Sequence, residues 1–197
     1  MIRITLLMFM VTCLHGCGGN NTVQISPYAN IVAFGDSLTQ GVGVDKSNSY
    51  PAKLASELGI EVINSGISGQ TSSQGLARLN NVLTTHMPSL IIICYGGNDV
   101  LQNKSKTQLE ANLRQMIVRS KQHGAQVMLV AVPQFGLLLS PMPVYKKLAD
   151  EYDLVLIEDT LPDLLGDASK KSDRVHLNAQ GYALLASEIA KHIEITK

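Results

Sequence analysis

Ser37 follows the apolar run Ile31 to Phe34 directly, in Phe34-Gly35-Asp36-Ser37-Leu38-Thr39-Gln40-Gly41. A serine hydroxyl placed after a buried strand, at the mouth of a helix, could attack a carbonyl carbon. Its own backbone N–H would then face the developing oxyanion. The same placement also suits a plain cap, in which Ser37 or Asp36 satisfies a free N–H of a short helix. The G-x-S-x-G elbow is excluded, because Thr39 occupies the second glycine position. A serine nucleophile needs a base, and His176 is the histidine with a carboxylate at short spacing, in Asp173-Arg174-Val175-His176-Leu177-Asn178. Residues three apart in a turn are neighbours, so Asp173 could accept a proton from one ring nitrogen and fix the tautomer of the other. Both residues could equally serve the helix start near Asn178. His86, His123 and His192 lie near helix ends or on polar faces, and His15 falls in the N-terminal apolar segment.

An acyl-transfer site also needs donors for its oxyanion. Gly69, in Asn64-Ser65-Gly66-Ile67-Ser68-Gly69-Gln70-Thr71, could offer an unobstructed N–H, and Asn98, in Gly96-Gly97-Asn98-Asp99, its side-chain amide. Each could instead serve only its own turn.

The elements that must position these residues alternate. Strands are expected at Ile31–Phe34, Ile60–Ile63, Leu90–Tyr95, Gln126–Val132 and Leu154–Ile157. Helical periodicity covers Tyr50–Leu58, Ser73–Leu83, the segment from Thr107 to Gly124, Val144–Tyr152 and the last stretch carrying Tyr182, Leu185, Ile189 and Ile193. Thr107 and Glu110 have the spacing of a capping box. Repeated strand–helix alternation implies an α/β fold with a parallel sheet. Ligands in such folds sit at the carboxyl ends of the strands, where Ser37, Gly69 and Asn98 all fall.

Gly35-Asp36-Ser37-Leu38, Asn64 to Thr71, Gly96 to Asp99 and Asp173 to His176, in this order, resemble the four sequence blocks of the SGNH, or GDSL, hydrolase family. The likeness runs from about Asn30 to Ala190, and Ser68 to Leu79 is most like the branch of bacterial thioesterase I, lysophospholipase and arylesterase. The resemblance implies a three-layer α/β/α sandwich with a central parallel sheet, of flavodoxin-like SGNH type. It implies Ser37 as nucleophile, His176 as base, Asp173 as its orienting acid, and Ser37, Gly69 and Asn98 as the oxyanion hole. No metal or organic cofactor is implied. Leu177 departs from the proline that many members carry after the histidine. Asp36 and Asp99 are expected to hydrogen-bond the loops that hold Ser37 and Asn98, and Arg78 to lie at the surface.

Composition limits the partners. Hydrophobic residues make up 45% and charged residues 16% of the 197 residues, as in a folded domain. Sixteen basic and sixteen acidic residues cancel without a long run of either sign, so nucleic-acid binding is not expected. A small-molecule acyl ester is the expected partner. Met1-Ile2-Arg3 and the apolar run Ile4 to Leu14 fit an export signal, and Leu14-His15-Gly16-Cys17 is similar to a lipobox with Cys17 as the lipidated residue. The chain then divides into a signal segment 1–17, a flexible tether 18–27 and a hydrolase domain 28–197. Membrane contact is expected through that anchor, in the cell envelope of a bacterium. With Cys13 removed and Cys17 acylated, Cys94 is left as a buried small hydrophobe without a disulfide partner. Leu137, Leu138 and Leu139, after the fourth strand, either line an acyl-chain groove or pack on the core. Two alternatives to an acyl-ester hydrolase stay open: a carbohydrate acetylesterase of the same family, and a lipid-anchored binding protein without activity.

Overall fold

The structure, a computed structural model, describes residues 22–134 and 139–196. Along the chain run β1 (Val23–Ile25), β2 (Ile31–Gly35), α1 (Ser37–Gln40), α2 (Tyr50–Leu58), β3 (Val62–Gly66), α3 (Ser72–His86), β4 (Leu90–Cys94) and α4 (Gly97–Leu101). Then come α5 (Lys106–Gln122), β5 (Gln126–Val130), the short β6 (Pro133–Gln134) and β7 (Ser140–Pro141), and α6 (Pro143–Tyr152). β8 (Val155–Ile157), α7 (Thr160–Gly166), α8 (Ala179–Lys191) and β9 (Ile193–Ile195) complete the chain.

Five parallel strands form the central sheet in the order β3-β2-β4-β5-β8. β2 and β4 are paired in register from Ile31 with Leu90 to Gly35 with Cys94, and every residue of both is buried. Unbroken apolar runs of this kind are what a parallel sheet covered on both faces requires. Helix α2 packs on α8, and α3 on α5. With right-handed crossovers the chain steps from β2 outward to β3 and then back past β2 to β4, so α2 and α8 cover one face and α3, α5 and α6 the other. This is the expected three-layer α/β/α sandwich. The chain reverses its winding between β2 and β4, and the crevice beyond their carboxyl ends is where such folds bind ligands.

Local chemistry sets the boundaries. Pro51 sits in the first turn of α2, where its missing N–H costs nothing, and Gly59 ends the helix in the left-handed region at φ 66°. Thr71 starts α3, with its N–H donated to the Gln74 side chain (2.9 Å) as in a capping box. The expected box at Thr107 and Glu110 does not start α5. Ser105 caps that helix by accepting from the Gln108 N–H, which places the first turn earlier. Glu110 instead pairs with Arg114 and with Lys147 of α6, joining the two helices.

β3 lies two residues later than its apolar run suggested, because Asn64 and Ser65 continue the strand beside Ala33 and Phe34. Within the stretch 18–27 read as tether, Val23–Ile25 pairs in parallel with Ile193–Ile195, so the folded domain begins before residue 28. Cys17 and the segment 1–17 lie outside the described residues. Among the described residues no helix is long and apolar enough to cross a membrane, and Cys94 is free and buried.

Candidate active site

Asp36 and Ser37 leave β2 at its carboxyl end. Asp36 caps α1 by accepting from the Leu38 N–H (3.1 Å), which leaves Ser37 in the first helical position with its N–H unspent by the helix. Tight packing holds this turn. A Cβ on Gly66 would stand 2.2 Å from the Gln40 nitrogen, so β3 can approach α1 this closely only with glycine there.

His176 comes from the opposite end of the chain. The loop before α8 turns back so that the Ser172 N–H donates to the His176 carbonyl (3.0 Å). Asn178 caps α8, accepting from the Gly181 N–H, so capping is not the duty of Asp173. Asp173 Oδ1 accepts the N–H groups of Val175 (2.8 Å) and His176 (2.9 Å), while Oδ2 faces His176 Nδ1 at 2.7 Å. Burial raises the Asp173 carboxyl somewhat, but the bonds from the His176 ring and these two N–H groups outweigh it and hold it below the usual carboxylate range. The ionised carboxylate is acceptor only, so Nδ1 carries the proton and Nε2 of the neutral ring is free to accept. His176 Nε2 lies 2.9 Å from Ser37 Oγ. The Tyr182 hydroxyl donates to the Val42 carbonyl (2.9 Å) and fastens α8 beside the turn that follows Ser37.

Asn98 arrives from α4, beyond β4. Its Nδ2 donates to Asp36 Oδ2 (3.2 Å) and to the Gln70 carbonyl (3.0 Å), which locks the two loops together. Gly69, next to Gln70, has φ 79°, and a Cβ there would meet nothing within 4 Å, so its backbone lines open space. Ser37, Gly69, Asn98 and His176 line one pocket of about 130 Å³. Apolar walls come from Leu38, Leu101, Val132, Leu165 and Val175. A carbonyl group entering here would come beside a hydroxyl with a base attached, with Gly69 and the Asn98 amide in the same pocket wall. That arrangement is suited to acyl transfer.

Burial raises the Asp36 carboxyl from 3.8 to about 6, against the pull of the Leu38 N–H, His176 and the Asn98 amide. Asp99 accepts from the Ser72 N–H (2.8 Å) and hydroxyl (2.6 Å), so it braces α3 against α4 rather than its own loop. Among the described residues no group of three or more His, Cys, Asp or Glu side chains is placed to hold a metal.

The structure thus brings Ser37, Gly69, Asn98 and His176 to one pocket, with Asp173 outside its lining and bonded to the far ring nitrogen of His176. Leu139 packs against the core and is not among the described residues that line it; Leu137 and Leu138 lie outside the described residues. The walls Leu101, Leu165 and Val175 gave no signal in the sequence, since single apolar residues at such spacing read as core. Arg78 is a correction. It is half-buried rather than a surface residue, and it donates to Gln70, Ser65, Gly35 and Tyr95. A mid-helix glycine at position 75 was the available clue, because it lets the Tyr95 ring come close to α3.

The chain is similar to known proteins over most of its length. The model of the GDSL-like lipase/acylhydrolase family matches residues 33–184. "Thioesterase 1/protease 1/lysophospholipase L1" of Escherichia coli K12 is 31% identical over 181 residues, covering 88% of this chain and 87% of its own. The "Uncharacterized lipoprotein YqeF" of Bacillus subtilis 168 is 30% identical over 145 residues, 66% of this chain and 56% of its own. The crystal structure of TesA superposes with a TM-score of 0.75 at 28% identity, covering 83% of this chain and 97% of that one.

Proposed function

The chain belongs to the GDSL-like lipase/acylhydrolase family and is a carboxylic-ester hydrolase, and on that premise we propose that it cleaves acyl esters or thioesters through an acyl-Ser37 intermediate. The observation that carries this reading is the relay Asp173–His176–Ser37, at 2.7 and 2.9 Å, opening on a pocket shared with Gly69 and Asn98. His176 Nε2 takes the Ser37 hydroxyl proton as Oγ bonds to the carbonyl carbon. The tetrahedral oxyanion takes hydrogen bonds from the Ser37 and Gly69 N–H groups and the Asn98 amide. Asn98 exchanges one of its two protein acceptors for the oxyanion as it does so. The oxyanion collapses, the bond to the leaving oxygen or sulfur breaks, and His176 gives that atom its proton. Water, deprotonated by His176, then attacks the acyl-serine, and the acid leaves with Ser37 restored.

Acyl-chain length is the open variable. The pocket of about 130 Å³ is close to the size that holds a benzene. A short acyl group fits inside it, and a longer chain would run out across Leu101, which is 51% exposed. The small volume favours, as a second reading, removal of acetyl groups from carbohydrate esters. Hydrolysis of p-nitrophenyl esters from acetate to palmitate, beside Ser37→Ala, tests both. Activity lost with Ser37 supports the acyl-serine, and the chain-length profile separates acyl-lipid from acetyl substrates. Equal activity in the variant would refute the mechanism, and binding without turnover would indicate a lipid-anchored binding protein. We further propose that Cys17 carries the lipid anchor, in keeping with the lipoprotein described in Bacillus subtilis. The mass of the mature N-terminus tests it, and an unmodified Cys17 would refute it.

A further inference from the structure

We propose that Arg78 is a positioning residue for acyl transfer, holding the Gly69–Gln70 loop and the end of β2 in the register that the oxyanion donors require. The inference rests on the acyl-serine reading above. Arg78 Nε donates to Gln70 Oε1 (2.8 Å) and Nη1 to Ser65 Oγ (2.8 Å). Nη2 reaches the carbonyls of Ser65 (2.7 Å) and Gly35 (3.3 Å) and the Tyr95 hydroxyl (2.6 Å). Its guanidinium also lies 4.3 Å from the centre of the Phe34 ring. One side chain of α3 therefore binds the carboxyl ends of β2 and β3, the residue after β4, and the loop beyond β3.

A cation out of water usually takes a carboxylate as partner, in the bidentate pairing that suits arginine. Among the described residues Arg78 has none, and its acceptors are all neutral. Two carbonyls and three neutral side chains are a costly set for stability alone, but they fit a bracket whose job is geometry. A planar fork fixes several acceptors at once, which a lysine cannot do.

Gln70 shows how the bracket reaches the reacting atoms. Its side-chain oxygen accepts from Arg78 and from the Tyr95 hydroxyl (2.9 Å), and its backbone carbonyl accepts from Asn98. Gly69 is its neighbour in the chain. Releasing the Gln70 side chain would free the Gly69 N–H and remove the surface against which Asn98 is aimed. Gly35 precedes the Asp36-Ser37 turn, so the same guanidinium also touches the strand that presents Ser37.

The test compares Arg78→Ala, Gln70→Ala and Ser37→Ala in the full-length protein with p-nitrophenyl acetate. A misplaced donor acts in the transition state, so kcat in Arg78→Ala is expected to fall about 10²-fold while KM stays within about threefold. Gln70→Ala should lose about 10-fold in kcat, and the double variant should lose little more than Arg78→Ala, because the two act as one unit. Millimolar guanidinium should restore part of kcat in Arg78→Ala and none in Gln70→Ala. Should Arg78→Ala fail to fold, Gln70→Ala decides: a kcat loss at constant KM supports the bracket, and an unchanged kcat overturns it. Wild-type kcat in both variants, with Ser37→Ala inactive, overturns the bracket alone. An active Ser37→Ala variant overturns the acyl-serine reading and the bracket with it.

Discussion

Asp36 offers a way to weigh burial against hydrogen bonding, by replacing it with asparagine and following stability with pH. The carboxyl is 1% exposed and its pKa rises from 3.8 to about 6, because burial outweighs the donors Leu38 and Asn98. A carboxyl whose folded pKa lies above its unfolded one binds its proton more tightly in the folded state. Its contribution to stability is then complete below about pH 3.8 and is lost as the pH rises through about 6. A shift of about two units corresponds to about 3 kcal/mol. D36N cannot ionise, and its amide would face the Asn98 amide donor to donor, a penalty that does not change with pH. The stability difference between wild type and D36N should therefore move by about 3 kcal/mol in favour of the variant between about pH 4 and 8. That corresponds to roughly 6–12 °C in the melting temperature for a domain of this size. Urea unfolding at a series of pH values measures it. A flat difference curve would mean that Asp36 does not titrate in this window. A curve of opposite sign would mean that Leu38 and Asn98 outweigh burial, and that the ionised carboxylate is the favoured occupant of the α1 cap.

Other perturbations test the neighbouring parts. The Asp173 side chain is 51% exposed, so water can stand in for part of its role; Asp173→Asn should lower kcat about 10²-fold, and a loss as large as that of Ser37→Ala would refute this. Gly66→Ala would drive a methyl against the backbone of Thr39 and Gln40. It should cost about 1–3 kcal/mol in denaturant unfolding and lower kcat more than KM rises, whereas wild-type stability would show that α1 has room to move. Leu101→Asp should reduce turnover of octanoyl relative to acetyl ester about 10-fold, and an unchanged ratio would remove Leu101 from the acyl path.

Much of this architecture is legible in the chain because burial on two faces leaves a simple mark. Ile31 to Phe34 and Leu90 to Cys94 are unbroken apolar runs, and both are central strands. Val62 to Gly66 is less plain, since exposed Asn64 and half-buried Ser65 continue an edge strand through backbone pairing alone. Thr107 and Glu110 have the spacing of a cap, but Ser105 reaches the first free N–H sooner. The pairing of Ser37 with His176 spans nearly the whole domain, and no local pattern encodes it. Only the order of the four blocks points to it. Arg78 was misread for the same reason, because a lone arginine on a helix reads as solvated until the strand ends that supply its acceptors are placed around it.

The pairing of β1 with β9 has a bearing on where a tethered enzyme could work. The Gln126 side chain at the start of β5 donates to the Gln24 carbonyl (2.7 Å), so β1 lies at the amino-terminal rim of the sheet. Ser37 and Asn98 lie beyond the carboxyl-terminal rim. A lipid on Cys17 would therefore pull on the pole farthest from the catalytic mouth. Gly18 to Thr22 extend no more than about 17 Å when fully stretched, against a domain about 40 Å across. If Cys17 carries the proposed lipid, so short a leash would keep the enzyme from turning over to graze on the leaflet that holds it. Its mouth would then look outward, toward esters that diffuse past or belong to an opposing surface.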